Sequence, residues 1–250
     1  MARSRDFDGR RLSNINRFLQ LLDIDIANNS ICILPATHSS NVALLGPGTP
    51  GIHVINNGSP FIRNYRHFDT IGTSAIFGGR SDDGIDAAIT QSPGVIIGYL
   101  PADCAIIQIF DRRRQACAQI HAGALGIFSN IVPKTITCMQ EWCGSNAKDF
   151  VCNICPCLSA RSWPLKSTST WKERLRTLVP ETVADSFEQK TYLTDQLIKS
   201  GVAFHNISAS SFCTFRDEEL FFSNARCKTP EAKKIEGRQL AILGIKHEKH

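Results

Sequence analysis

The sequence predicts an α+β domain, in which many short strands are interleaved with a small number of helices. Three apolar runs, Val95–Leu100, Ala105–Phe110 and Ala116–Ile120, have the length and the isoleucine and valine content of buried strands. A polar turn, Asp111–Gln115, separates the last two runs. Short strands interleaved with a few helices favour this class over a doubly wound sheet.

The other predicted elements lie on both sides of these central strands. Apolar residues at helical spacing predict a short amphipathic helix over residues 14–25 and further helices later in the chain. Residues 43–84 are rich in Gly, Pro and Asn, which predicts an inserted loop region that forms a hairpin or a lid. Long loops of this kind are often functional. The remaining elements are strands at 31–35, 202–207 and 240–245 and helices at 127–142, 167–178 and 181–200.

Composition and charge narrow the class of protein. The 250 residues are 42% hydrophobic and 20% charged, with a net charge of +5. This mild, dispersed positive charge suits an anionic small molecule and does not indicate nucleic-acid binding, which requires a concentrated basic surface. The sequence shows neither a signal peptide nor an apolar run long enough to cross a membrane. We therefore expect no membrane association.

The cysteines predict a reducing environment. Ten cysteines without an export signal indicate reduced thiols and a cytoplasmic location. Three of them, within Cys152–Cys157, have a spacing that could hold a metal ion, but no second Cys/His pair follows at zinc-finger distance. The alternative is that this segment is a structural loop.

Two side chains at strand ends form the candidate site. Cys104 lies between the first two central strands, and His121 lies at the end of the third. A rigid sheet can hold a thiolate and an imidazole against one point, and this pair of ligands suits zinc. The alternative is a buried structural cysteine and an ordinary loop histidine.

An ordered series of motifs resembles one known family. Its centre is Ala102-Asp103-Cys104, followed after two strands by His121-Ala122-Gly123. Similar segments are Leu34–Val42 upstream and, near the end of the chain, Ser211–Thr214, Phe221–Arg226 and Gly237–Gln239. In this order they resemble the YfiH-like family, also labelled the polyphenol oxidase (laccase) or purine nucleoside phosphorylase family. The resemblance implies a single YfiH-like domain over residues 1–250, with mixed β-sheets packed against helices.

The resemblance also implies a metal site. It supplies His38 as the third ligand beside Cys104 and His121, so that these three residues would be both the metal ligands and the catalytic residues. His53 and His67 compete for the third position. A laccase needs several copper ions, typically held by His-x-His sequences, and the chain contains no such sequence. We therefore expect Zn²⁺ rather than copper.

The activity implied by the resemblance is zinc-dependent purine nucleoside phosphorolysis, a transferase reaction of a nucleoside with phosphate. Related adenosine deaminase (hydrolase) and methylthioadenosine phosphorylase activities belong to the same expectation, with adenosine, inosine or guanosine as substrates. Arg226 and Arg238 are candidates for binding the anion, although either could instead be a structural ion-pair residue. Asp103 is expected beside the substrate site, where it orients a ligand.

Two alternative functions stay open. Cys104 could be the nucleophile and His121 the base of a cysteine hydrolase acting on peptidoglycan precursors, as some relatives are linked to peptidoglycan editing. The family usually has Trp and Arg or Lys where this chain has Ala124 and Leu125. This difference favours narrowed specificity, a different anionic substrate, or a weakly active relative with a binding or regulatory role.

Overall fold

The computed structural model describes most of the chain around the central strands. Between residues 51 and 77, and at residue 30, it describes the backbone alone. The described residues are 14, 17–24, 29–34, 36–46, 51–56, 59–64, 68–71, 74–77, 84–162, 173, 175–180, 186–227 and 237–247.

The described residues form three β-sheets. The largest has eight strands in the order β12-β11-β9-β10-β7-β2-β3-β4, the second has the order β1-β8-β13, and β5 pairs with β6 alone. Parallel pairs (β2 with β7, β11 with β12, β1 with β8) stand beside antiparallel ones, so the two larger sheets are mixed. The strands are β1 Ser30–Ile33, β2 Val42–Leu45, β3 Gly51–Asn56, β4 Ser59–Asn64, β5 Phe68–Ile71, β6 Ser74–Phe77, β7 Ala87–Thr90, β8 Val95–Tyr99, β9 Ala105–Asp111, β10 Ala116–Ala122, β11 Phe150–Ile154, β12 Ile207–Ala209 and β13 Ala241–Gly244.

The later helices cover one face of the large sheet, whereas the first packs on the small sheet, where Leu19 joins Ile31, Ile33 and Ile96. We label them α1, which includes residues 17–21, α2 Ala124–Phe128, α3 Ile131–Cys143 and α4 Gln189–Lys199. The single helix predicted over 127–142 is in fact two, because Asn130 takes a left-handed conformation with φ 60° between α2 and α3. Pro133 is tolerated because it lies in the first turn of α3, where no intrahelical N–H bond is lost.

Strand β10 shows how the layers are built, because all seven of its residues are buried. Alternate residues point to opposite faces of a strand. Ala118 and Ile120 pack with α2, α3 and α4 in one core cluster, whereas Cys117 joins a second cluster with β8 of the smaller sheet. Gln119, on the same face as Cys117, donates to the carbonyl of Ile97 in that sheet. The large sheet therefore lies between the helices and the small sheet, and His121 faces the small sheet.

The predicted α+β class with mixed sheets is confirmed, and so are the three central strands and those near residues 31 and 240. The strand predicted at 202–207 is wrong. Residues 204–206 form a 3₁₀ turn, and pairing begins only at Ile207, which lies opposite Cys152. Phe204 is 70% exposed, so the apolar residues of this segment do not share a buried face.

Two predicted segments are described only in part. The helix expected over 167–178 falls largely outside the described residues, and the one expected over 181–200 is observed from Gln189. Within the inserted loop region 43–84, strands β3 to β6 form two hairpins. The hairpin β3–β4 extends the edge of the large sheet. No helix among the described residues has the length and hydropathy needed to cross a bilayer.

Candidate metal centre

Cys104 is presented by a sharp corner before β9. Asp103 has a left-handed backbone, with φ 82°, and Cys104 follows it immediately before the first residue of the strand. The thiol is half-buried and borders an open cavity. The predicted position of Cys104, at the end of a strand, is therefore observed.

His121 enters the same region from β10. It is the last residue but one of that strand, lies opposite Ile106 of β9 and is 5% exposed. Its backbone N–H donates to the Asp86 carbonyl at 2.7 Å, and its Nδ1 lies 2.8 Å from Asp86 Oδ1. The contact on Nδ1 fixes the ring and leaves Nε2 for a ligand.

Asp86 is the residue that the sequence did not identify. It precedes β7 and is fully buried, and its carboxylate accepts hydrogen bonds from residues 37–39. The backbone N–H groups of Thr37, His38 and Ser39 all donate to it at 2.8–3.2 Å, and the Ser39 hydroxyl donates at 2.6 Å. A buried Asp directly before an apolar strand was the available signal, but its partners lie 35–49 residues away along the chain.

His38 completes the group from the turn between β1 and β2. Its φ is 62°, an uncommon value for a non-glycine residue, and the bonds to Asp86 hold it there. Its Nε2 lies 3.5 Å from Cys104 Sγ, and its ring contacts the His121 ring edge-on at 5.2 Å between centroids. One ligand atom from each of His38, Cys104 and His121 lies within 4.8 Å of the others.

The three side chains perturb one another electrostatically. Burial raises the pKa of the Cys104 thiol, but the neighbouring His121 and His38 imidazoles outweigh it and lower this pKa from 9.0 to about 6. Burial lowers the pKa of His121, but the Cys104 thiolate and the Asp86 carboxylate outweigh it and raise this pKa to about 10. The hydrogen bond to Cys104 raises the pKa of His38. Without a metal ion, the site at neutral pH therefore holds a thiolate beside an imidazolium.

This arrangement fits a divalent metal ion. In a tetrahedral zinc site with Zn–N and Zn–S bonds of about 2.0–2.3 Å, the ligand atoms lie about 3.5 Å apart, close to the His38–Cys104 separation observed here. The group contributes three ligands and leaves a fourth position open. Among the described residues it is the one group of three or more such side chains that could hold a metal.

A cavity of about 360 Å³ opens beside Cys104. Most of its wall is apolar, with side chains that include Phe18, Leu22, Phe221 and Ile242. Its volume is within the range of small-molecule sites. Of the three ligands, Cys104 lines this apolar pocket.

The structure does not bring every predicted site residue to the metal. The Asp103 carboxylate bonds to Thr214 and to the Ala225 N–H, so the carboxylate that is hydrogen-bonded to a predicted ligand is that of Asp86. Arg226 donates to the backbone carbonyls of Thr214, Phe215 and Phe221, which is a structural role. Arg238 donates to the Gly237 carbonyl. The competing ligands His53 and His67 have side chains outside the described residues.

Two further predictions concern neighbouring segments. Ala124 and Leu125 lie in α2 and are buried in the core. Cys152 and Cys157 are fully buried, and the 152–157 segment belongs to no group of three potential metal ligands among the described residues. The alternative interpretation of this segment, as a structural part of the fold, agrees with that burial.

Comparison with known proteins identifies the family. The family model for multi-copper polyphenol oxidoreductase laccase matches residues 3–246. The chain belongs to this laccase-like family. The predicted YfiH-like resemblance is thereby confirmed.

Curated proteins similar to this chain carry the name purine nucleoside phosphorylase. The protein of that name from Bacteroides thetaiotaomicron is 27% identical over 57% of this chain and 56% of its own length. The Synechocystis protein is 29% identical over 58% and 64%, and YfiH of Escherichia coli is 24% identical over 58% and 59%. The chain therefore spans between about half and two thirds of the length of these relatives.

Two solved structures share the fold of this chain. YlmD from Geobacillus stearothermophilus matches with a TM-score of 0.68, covering 98% of this chain and 84% of its own, at 19% identity. The Bacillus licheniformis hypothetical protein YfiH matches with a TM-score of 0.67, covering 94% and 80%, also at 19% identity.

Gly123 makes room for His38 in this member of the family. A Cβ atom at position 123 would lie 2.2 Å from His38 Cδ2, although the local φ of −72° and ψ of 163° suit any residue.

We expect Gly123→Ala to displace the imidazole and to raise the zinc dissociation constant about 10- to 100-fold. Chelator competition measures this constant. In Gly123→Ala/His38→Gly the clash is gone, so Gly123→Ala should cost no stability in the His38→Gly background; a cost that persists contradicts the prediction.

The Cys104 thiol should titrate far below an ordinary cysteine. In the metal-free protein, the thiolate absorbance lost in Cys104→Ala should show a midpoint near pH 6. Because the folded pKa lies below the ordinary 9.0, the stability that this thiolate contributes is present at high pH and is lost as the pH falls through 6. Cys213, whose pKa is also lowered to about 6 against burial by hydrogen bonds with Ser159 and Ser162, titrates in the same range, so both proteins are compared in the Cys213→Ala background. A Cys104 midpoint near 9 contradicts the described geometry.

Proposed function

We propose that this chain is a zinc-dependent purine nucleoside phosphorylase with adenosine deaminase and methylthioadenosine phosphorylase activities on adenosine, inosine or guanosine. The observation that carries the proposal is the convergence of His38, Cys104 and His121, of which Cys104 lines the apolar cavity. The names of the curated relatives support the substrate class. A single domain spanning residues 1–250 is part of the same proposal.

Zinc fits this set of ligands better than copper. A site with two histidines and one cysteine also suits copper electron transfer, commonly with a distant axial methionine. Met139, the described methionine, packs in the core on the helix side of the large sheet, away from the face that carries His121. One group of ligands in the described residues also supplies fewer positions than a multi-copper oxidase needs. Bound zinc would supply a Lewis acid that activates water or polarises the substrate.

The residues of the chain have separate parts in this proposal. His38, Cys104 and His121 hold the ion, and Asp86 fixes the ring of His121 through Nδ1. The apolar wall, including Phe18 and Phe221, excludes water and accommodates a purine base. In phosphorolysis the bond between N9 of the base and C1′ breaks, and a phosphate oxygen bonds to C1′. Arg238, which also donates to the Gly237 carbonyl, is the proposed anion contact, on the strength of the Gly237–Gln239 motif alone.

The cellular setting belongs to the proposal. All ten cysteines fall within the described residues, and all ten are unpaired. Free thiols in this number suit a reducing compartment, and we place the protein in the cytoplasm on this ground.

A panel of nucleosides tests the proposed activity. Purified zinc-loaded protein should release hypoxanthine from inosine only when phosphate is present, with ribose 1-phosphate as the second product. Adenosine should give inosine and ammonia, and methylthioadenosine should give adenine in the presence of phosphate. Zinc-loaded protein that leaves every purine nucleoside unchanged would overturn the proposal.

One observation favours a second candidate, a cysteine hydrolase. Asp86, His121 and Cys104 stand in the order of a carboxylate–imidazole–nucleophile triad, with the 2.8 Å contact on Nδ1 as the orienting bond. His38, on the other side of the thiol, has no part in such a triad but is required for a metal. If chelated protein keeps its hydrolytic activity, and thiol labelling of Cys104 is unchanged by zinc, this second candidate is correct and the metal proposal is not.

A further inference from the structure

Asp103 is held by more hydrogen bonds than a residue in a turn requires. It is buried and has a left-handed backbone with φ 82°, directly before Cys104. Its Oδ1 accepts from the Thr214 hydroxyl and its Oδ2 from the Ala225 N–H, both at 2.7 Å. These contacts span 111 and 122 residues of chain.

The backbone of Asp103 is held as well. Its carbonyl accepts from the Leu158 N–H at 2.9 Å and from the side chain of Gln189, the first residue of α4, at 3.3 Å. A non-glycine residue in this conformation is strained and persists only where its surroundings hold it there. Four hydrogen-bond donors, from four distant positions in the chain, hold Asp103 in this conformation.

The segment that bonds to the Asp103 carboxylate is stabilised by hydrogen bonds of its own. We call this segment, Cys213–Cys227, the C-terminal loop. Arg226 donates to three carbonyls within it, and the Asp217 carboxylate accepts from the Cys213 N–H at 2.7 Å. The loop contributes Thr214 and Phe221 to the wall of the cavity. One carboxylate therefore joins the wall of the cavity to the corner that presents Cys104.

We propose that Asp103 is a positioning residue that couples the C-terminal loop to the metal ligand Cys104. Its side chain fixes the loop, and its left-handed backbone directs the next residue's thiol toward His38 and His121. The inference rests on the metal-binding part of the proposed function and not on the identity of the substrate. Because coupling is reciprocal, detaching the loop weakens metal binding, and metal binding steadies the loop.

The test separates the carboxylate from the backbone. Asp103→Gly removes both side-chain bonds while glycine adopts the left-handed corner without strain. We expect its zinc dissociation constant, measured by chelator competition, to rise about 10- to 100-fold. Asp103→Asn, which also tolerates this conformation and keeps an acceptor for Thr214, should fall between Asp103→Gly and the wild type. The matched control is Gln115→Gly, at an exposed left-handed turn with φ 49°, which should bind zinc like the wild type.

A purely structural role predicts a different pattern. Asp103→Gly would then lower the unfolding midpoint of the metal-free protein and leave the zinc dissociation constant unchanged, which overturns the inference. If Asp103→Gly does not fold, Thr214→Val decides: a severalfold rise in the zinc dissociation constant supports the coupling, and an unchanged constant overturns it. A wild-type protein that binds no zinc overturns the metal centre itself, an outcome distinct from equal zinc binding by wild type and variant.

Discussion

Asp86→Ala is expected to lower the free energy of unfolding by about 3–5 kcal/mol and to abolish tight zinc binding. The substitution leaves three backbone N–H groups, those of Thr37, His38 and Ser39, without their acceptor. It also removes the partner of His121 Nδ1. Urea unfolding of the metal-free protein measures the first effect, and chelator competition the second.

The control for Asp86 is an aspartate without such partners. Asp195 is exposed on α4, and Asp195→Ala should change the free energy of unfolding by no more than about 0.5 kcal/mol. Asp86→Asn keeps one acceptor oxygen and should be intermediate. If Asp86→Ala unfolds at the wild-type urea concentration and still binds zinc, the described role of this carboxylate is wrong.

His38→Gly is expected to reduce kcat/KM for inosine phosphorolysis by about a thousandfold or more, because the site loses a metal ligand. Glycine suits the local φ of 62°, so the substitution removes the imidazole without straining the turn. Zinc per chain should fall in parallel, while the unfolding midpoint of the metal-free protein changes little. Activity is followed by hypoxanthine release and metal content by elemental analysis.

Asn130→Gly is the matched control for that experiment. Asn130 has φ 60° and is exposed between α2 and α3, so the change has the same backbone effect away from the metal centre. Its activity and zinc content should equal those of the wild type. Undiminished turnover in His38→Gly contradicts the assignment of this ligand.

The positions of two ligands could be predicted from local pattern. Cys104 and His121 stand at the ends of apolar runs, and run length alone located β9 and β10. His38 could not be found in this way, since it lies in a turn of left-handed conformation with no periodicity around it. Its prediction came from the family resemblance, and the structure places its Nε2 beside Cys104 Sγ.

The features that escaped prediction depend on contacts between distant parts of the chain. The role of Asp86 exists only when residues 37–39 fold around it, 47–49 residues away. The Asp103 carboxylate is directed to Thr214 and Ala225 for the same kind of reason. The break at Asn130 and the 3₁₀ turn at 204–206 override local apolar patterns that look continuous in the sequence. Tertiary structure decides these local conformations.

The most direct measurement is metal analysis of the purified wild-type protein combined with zinc X-ray absorption. The predicted result is one zinc ion per chain, coordinated by two imidazole nitrogens and one sulfur, with the sulfur lost in Cys104→Ala. Active wild-type protein that carries no divalent metal, or a bound metal with no sulfur in its coordination, would contradict the account.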